Sequence, residues 1–184
     1  GENLIKVIHG RAVECKENWM VEGVWDDDFE NGNFHQSENF FGTGIRIEGE
    51  KIYFVTTFSP VDRLLYCEHR NNFLFSNSLI LLLAYTGAVL DFNHDYQQEH
   101  LSAGTGIGKY NREFTILKTE IKCFYQVFRE NIIFSNEKLS FQHRYKEHKL
   151  ESFDHYYRSI IDILNKIRKN YESSRRKAPI TSFT

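Results

Sequence analysis

Apolar and polar positions alternate most clearly between residues 40 and 58. Residues 40–47 (FFGTGIRI) and 52–58 (IYFVTTF) read as strands, joined across Glu48-Gly49-Glu50-Lys51 by a hairpin turn. A turn at Ser59-Pro60 follows. Apolar runs at 64–67 and 73–75, separated by a polar turn over 68–72, then predict a β-meander from residue 52 to residue 75. Ser76-Asn77-Ser78 offers capping side chains before the apolar run 79–85, and Gly87 stands where a helix stops. Because residues 79–83 are apolar on every side, this helix is expected to be covered on more than one face.

On the N-terminal side, residues 4–9 alternate weakly and predict a first strand, with 11–15 as its partner across Gly10. From Trp19 to Asn39 the pattern dissolves into Trp, Asp, Asn and Gly, and Asp26-Asp27-Asp28 reads as a solvated turn rather than a cation site. After Asp91 a short helix is expected over 96–103, ended by Gly104. A second strand-rich block follows at 114–117, 121–128, 131–134 and 138–143, with hairpin turns at Glu130-Asn131 and Ser135-Asn136-Glu137. The last element is an amphipathic helix over about 152–172. Phe153, Tyr156, Tyr157, Ile160, Ile161, Leu164, Ile167 and Tyr171 recur there at three- and four-residue steps behind a Ser152 cap. Two antiparallel blocks with helices between and after them predict a layered α+β fold of antiparallel sheets.

Composition supports a packed, β-rich globule. The 184 residues include 16 Phe and 10 Tyr but only two Pro, and the net charge of -2 gives no pull toward nucleic acid or anionic lipid. No apolar run approaches the about 20 residues that span a bilayer. The expected location is therefore the cytoplasm, with no nucleic-acid or membrane partner. Cys15, Cys67 and Cys123 form no CxxC pair, and the last two fall in apolar runs as buried free thiols.

Candidate chemistry is sparse. Asp91, His94, Asp95, Glu99 and His100 are the nearest thing to a ligand cluster, yet they flank a helix start where acidic side chains are favoured anyway. The 104–109 segment GTGIGK lacks the spacing of a phosphate loop, with Ala103 where its first glycine belongs and Tyr110 in place of the hydroxyl residue. His143, His148 and His155 show no helical or finger spacing, which makes them surface histidines. The basic run 166–177 reads as a solvated helix face and its exit. Two other functions stay open: a cysteine amidohydrolase built on Cys15 with His9 or His35 as base, and a peptide-binding module using Arg175 and Arg176.

One resemblance organises these readings. The residues Ser59-Pro60-Val61-Asp62-Arg63-Leu64-Leu65-Tyr66, then Phe75-Ser76-Asn77-Ser78-Leu79, then Gly87 and Leu90-Asp91, resemble the second half of the N-terminal domain of asparagine synthetase-related proteins. The family pattern there is a D-x-x-G-x-x-P-L-Y-Y-like turn, a strand ending in F-A-S-E or F-S-N-S, and G-x-x-L-D. Residues 104–114, Ile121 and 153–167 resemble the segments that follow, and 177–184 resembles the strand before the S-G-G-x-D-S loop of the ATP-pyrophosphatase domain. The resemblance implies a class II glutamine amidotransferase-like, Ntn-hydrolase-type αββα domain over 1–150. Residues 151–184 would be a linker helix and the first strand of a synthetase domain.

The resemblance also implies that the chain is a piece of a longer ATP-dependent amide-forming enzyme. ATP and Mg would belong to that parent, the synthetase domain would be the partner, and a homo-oligomer is a further expectation. Glutamine-using members attack with an N-terminal cysteine whose own amine is the base. Here Gly1 comes first and Cys15 is internal. The implied domain is therefore non-catalytic, with no catalytic, cofactor-binding or metal residue of its own.

Overall fold

Strand formation follows the alternation most faithfully where a glycine or an Asn-containing pair can turn the chain. A computed structural model describes residues 4–59, 62–105, 110–117, 120–144, 149 and 151–175, with the backbone alone at 103–105. In chain order the strands are β1 (Glu14–Cys15), β2 (Trp19–Val24), β3 (Phe41–Glu48), β4 (Lys51–Val55), β5 (Leu64–His69) and β6 (Asn72–Ser76). After two helices come β7 (Glu113–Phe114), β8 (Phe124–Val127), β9 (Glu130–Ser135) and β10 (Lys138–His143). The helices are α1 (Leu79–Thr86), α2 (Tyr96–Thr105) and α3 (Phe153–Ser173). Three hairpins close through two-residue loops: Gly49-Glu50, and the pairs Arg70-Asn71 and Asn136-Glu137. The two Asn-containing loops share one geometry. Both loop residues have positive φ in each case, the twist that matches right-handed strands.

The fold is α+β, with all strand pairs antiparallel in two sheets. The first has six strands in the order β1-β2-β3-β4-β9-β10, the second four in the order β6-β5-β8-β7. They pack face to face: Ile52, Phe54 and Ile132 of the first meet Leu64 and Val127 of the second, and Phe54 stacks on Phe75 at 3.7 Å. On the far side of the four-stranded sheet, Leu65, Cys67 and Phe124 lie under α1 and α2 through Leu82 and Tyr96. The far side of the six-stranded sheet packs Trp19, Val21, Tyr53 and Val55 against Trp25, Phe29, Phe34 and Phe40. Burying apolar area on three surfaces of two sheets supplies the main driving force for this layering.

Several expectations change. Residues 4–9 carry no strand, and β1 is reduced to Glu14–Cys15, which pairs with Met20 and Val21 of β2. The 52–75 meander does not form: β4 joins one sheet, and β5 and β6 the other, so the chain changes layers between β4 and β5. Glu130-Asn131 is no hairpin turn either. It opens β9 immediately after the return crossing at Phe128-Arg129, and both residues are buried. Arg129, at φ 58°, ties the two crossings together by donating from Nε to the Phe58 carbonyl (2.7 Å) and stacking on its ring.

Among the other elements, α2 runs through Gly104 to Thr105 rather than stopping at it. Helix α1 has the caps expected of it, with Ser78 Oγ accepting from the Leu81 N–H and Gly87 left-handed at φ 67°. It is covered on one face only, since Ile80 and Tyr85 are 79% and 61% exposed. The expected terminal strand and the expected turn residue Pro60 lie outside the described residues.

The segment without a periodic pattern, residues 19–39, holds the aromatic core together with Phe40. β2 buries Trp19, Val21 and Gly23 on alternate positions, and the glycines of the region are seats for rings. A Cβ on Gly44 would lie 2.5 Å from the Phe34 ring, and one on Gly32 2.3 Å from Trp19. Asp26, by contrast, binds the loop as a turn residue, accepting from Ser37 Oγ (2.6 Å) and Asn39 Nδ2 (2.7 Å).

Candidate functional site

The six-stranded sheet is wider than its partner, so the inner face of β2 to β4 extends past the edge strand β6. Between them lies a cleft of about 350 Å³. Its floor is apolar, from Met20, Ile45, Phe54, Leu64 and Phe75. Val7, Ile8, His9 and Gly10 border it on one side, and Ser76, Asn77 and Leu81 on another. Such a volume lies within the range of small-molecule sites. Its polar groups are few: Asn77 Nδ2 reaches Thr43 Oγ1 at 3.5 Å, and Ser76 Oγ is spent on the Ser78 carbonyl and N–H. Ser76-Asn77-Ser78 therefore acts as both cap and cleft wall.

Cys15 is exposed, with Sγ 3.9 Å from His9 Nε2, so the structure brings together one of the two expected thiol–imidazole pairs. It places the other apart: His35 is 3% exposed on the outer face of the six-stranded sheet, against Tyr53. Cys67 and Cys123 are buried free thiols, and burial pushes Cys67 up to about 11, which removes it as a nucleophile near neutral pH.

Three buried polar clusters were not foreseen as units. Under α2, Gln126 is 2% exposed; its Oε1 accepts from Arg63 Nη1 (2.5 Å), and its Nε2 donates to Glu99 Oε1 and the Asn111 carbonyl (both 2.7 Å). Glu99 also pairs with His94 Nε2 at 2.6 Å. Burial lowers the pKa of Arg63, with Glu99 opposing the shift. Four members of the acidic cluster are engaged within the chain, Glu99 by His94 and Gln126. Asp91 accepts from the Asn93 N–H and Asp95 from the Gln98 N–H, and no group of three His, Cys, Asp or Glu side chains converges among the described residues.

At the edge between the sheets, Glu130 is 2% exposed and accepts from Arg112 Nη2 at 2.6 Å and His143 Nε2 at 3.0 Å. The third cluster pins the aromatic loop. Arg144 is buried, donates to the Ser37 carbonyl (3.0 Å) and to the Thr56 carbonyl, and is held down to about 10 by desolvation. Asn131 donates to the His35 carbonyl at 2.6 Å and to Gln142 Oε1 at 3.3 Å. Periodicity could not reveal these groups, since each joins residues far apart in sequence.

His35 gives a pH prediction. Desolvation lowers its pKa, Arg46 and Arg144 push the same way, and Glu48 at 3.5 Å opposes without prevailing. The folded chain thus holds His35 neutral where the unfolded chain begins to protonate, near 6.5. Its contribution to stability should be full above about pH 6.5 and fall as pH drops from there toward the lower folded value. Chemical denaturation at a series of pH values checks this: His35→Gln should flatten that part of the profile, and an unchanged slope would remove His35 as its cause.

No protein-family model, curated protein or solved structure matches this chain.

Proposed function

We propose that the chain is a non-catalytic, Ntn-hydrolase-like N-terminal domain of an asparagine synthetase-related, ATP-dependent amide-forming protein, acting as a scaffold beside a synthetase domain. Two stacked antiparallel sheets with helices outside them support that reading. The observation that carries the absence of turnover is the make-up of the cleft between the sheets. Its floor is apolar, its Ser76 hydroxyl is used by the α1 cap, and Cys15 stands outside its lining beside His9. An internal Cys15 has no α-amino group of its own to serve as base.

ATP and Mg would belong to the synthetase domain of the parent, and the buried carboxylates of this chain are engaged by its own side chains. Glu99 is taken up by His94 and Gln126, and Glu130 by Arg112 and His143.

Ammonia release from glutamine by the purified chain should not exceed that of a heat-denatured sample, and Cys15→Ser should leave the trace unchanged. The 3.9 Å contact between Cys15 and His9 favours one other reading, a cysteine amidohydrolase. Glutamine turnover that Cys15→Ser abolishes would establish it in place of the scaffold.

A further inference from the structure

Four residues stand side by side across the six-stranded sheet. Cys15 of β1 faces Met20 of β2, Met20 faces Ile45 of β3, and Ile45 faces Phe54 of β4. Residues directly opposite in antiparallel strands carry their side chains on the same face, so the four form one row. Met20, Ile45 and Phe54 line the floor of the cleft of about 350 Å³, and the exposed Cys15 stands at the head of the row, on the edge strand. Three strand spacings separate Cys15 from Phe54, about 14 Å, a path for an extended alkyl chain. The polar lining residues Glu22 and Thr43 pair on the neighbouring row rather than on this one. The thiol also has a base beside it. His9 Nε2 lies 3.9 Å from Cys15 Sγ, and His9 Nδ1 lies 2.9 Å from the Gly10 carbonyl. A carbonyl can only accept, so Nδ1 carries the hydrogen of the neutral ring and the lone pair of Nε2 faces the thiol.

We infer that Cys15 is an acylation site, which takes a medium-length acyl group from an acyl thioester of coenzyme A and lays the alkyl chain along Met20, Ile45 and Phe54. His9 Nε2 accepts the thiol proton as Sγ attacks the thioester carbonyl carbon. A new S–C bond forms, the bond from that carbon to the coenzyme's sulfur breaks, and the leaving thiolate takes the proton back from His9. Nothing is oxidised or reduced, and the products are the Cys15 thioester and the free coenzyme thiol. The event is a modification, one acyl group per chain, and it stands whether or not the chain is the scaffold of a synthetase. It is also distinct from glutamine turnover, since the row offers burial to an alkyl chain and no polar side chain to an amide.

Incubation of the purified chain with decanoyl-coenzyme A or acetyl-coenzyme A at equal concentration, followed by intact mass and peptide mapping, tests this. One decanoyl group should appear, on Cys15, at least roughly tenfold faster than one acetyl group, because each buried methylene favours the longer chain. In the urea-unfolded chain the two donors should react alike at this cysteine. Met20→Glu, at a half-buried position, should bring the decanoyl rate down to the acetyl rate. His9→Ala should slow both donors by roughly tenfold or more and keep their ratio. Should Met20→Glu fail to fold, as circular dichroism would show, the comparison of the two donors on the unaltered chain still decides. Equal rates for the two donors there would overturn the inference, as would no adduct, an adduct confined to Cys67 or Cys123, or a His9→Ala rate equal to that of the unaltered chain. Release of several equivalents of decanoate per chain would likewise overturn it.

Discussion

Phe34→Ala should lower the stability of the chain by about 3–5 kcal/mol, the cost of emptying a large aromatic site that cannot collapse. The ring is 0% exposed and stacks on Phe40 at 5.4 Å. Trp25 meets it edge-on at 5.4 Å and Trp19 at 6.1 Å, and its edge presses on the backbone at Gly44. Its neighbours are themselves wedged among rings, so relaxation into the cavity is limited. Against a total stability of about 5–15 kcal/mol, the loss would unfold a large share of molecules on warming. Guanidinium unfolding followed by tryptophan fluorescence measures it, with Phe41→Ala, 44% exposed, as the control expected to cost about 1 kcal/mol or less. Similar losses at both positions would mean that the loop over 25–40 is not the core of this layer.

The second large effect is expected at Gln126. Leucine fills nearly the same space but leaves two half-buried polar groups, the Arg63 guanidinium and the Glu99 carboxylate, without the amide that joins them. Leaving buried polar groups unpaired costs about 1–3 kcal/mol each, and a loss of about 2–3 kcal/mol is expected because Glu99 keeps His94 and Arg63 keeps its contact with the Phe114 ring. The diagnostic is non-additivity. Glu99→Leu removes one of the stranded charges, so the double variant should lose less than the sum of the singles in a thermodynamic cycle. Strict additivity would show that Gln126 packs without joining the two ions.

How much of this was legible depends on the range of the force concerned. Ser78 and Gly87 mark α1, and Ser152 marks α3, because a cap acts within one turn of the chain. β10 falls where alternation puts it, and the loop Asn136-Glu137 turns where a polar pair interrupts two apolar runs. The exposed flank of α1 was not legible. Five apolar residues in a row say that burial is favourable, but they do not say how many surfaces the rest of the chain can bring to them. Glu130 and Asn131 were misplaced for a related reason: two polar residues between strands look like a turn until His143, Arg112 and the His35 carbonyl come to meet them.

The sequence alone determined several local units: the hairpins that turn at 49–50, 70–71 and 136–137, the caps of α1 and α3, the amphipathic stripe of α3, and two strand-rich blocks that imply an α+β fold. Tertiary structure decided which strand lies in which sheet, since ladder hydrogen bonds are the same for any pair of strands and the choice falls to packing across the layers. Only the tertiary structure could show that the aromatic residues of 19–40 form a core. Their rings pack on glycine backbone and on one another, and that complementarity has no period along the chain. The candidate site follows from the same fact: the cleft exists because one sheet is wider than the other, a property of the pairing order and of no single residue.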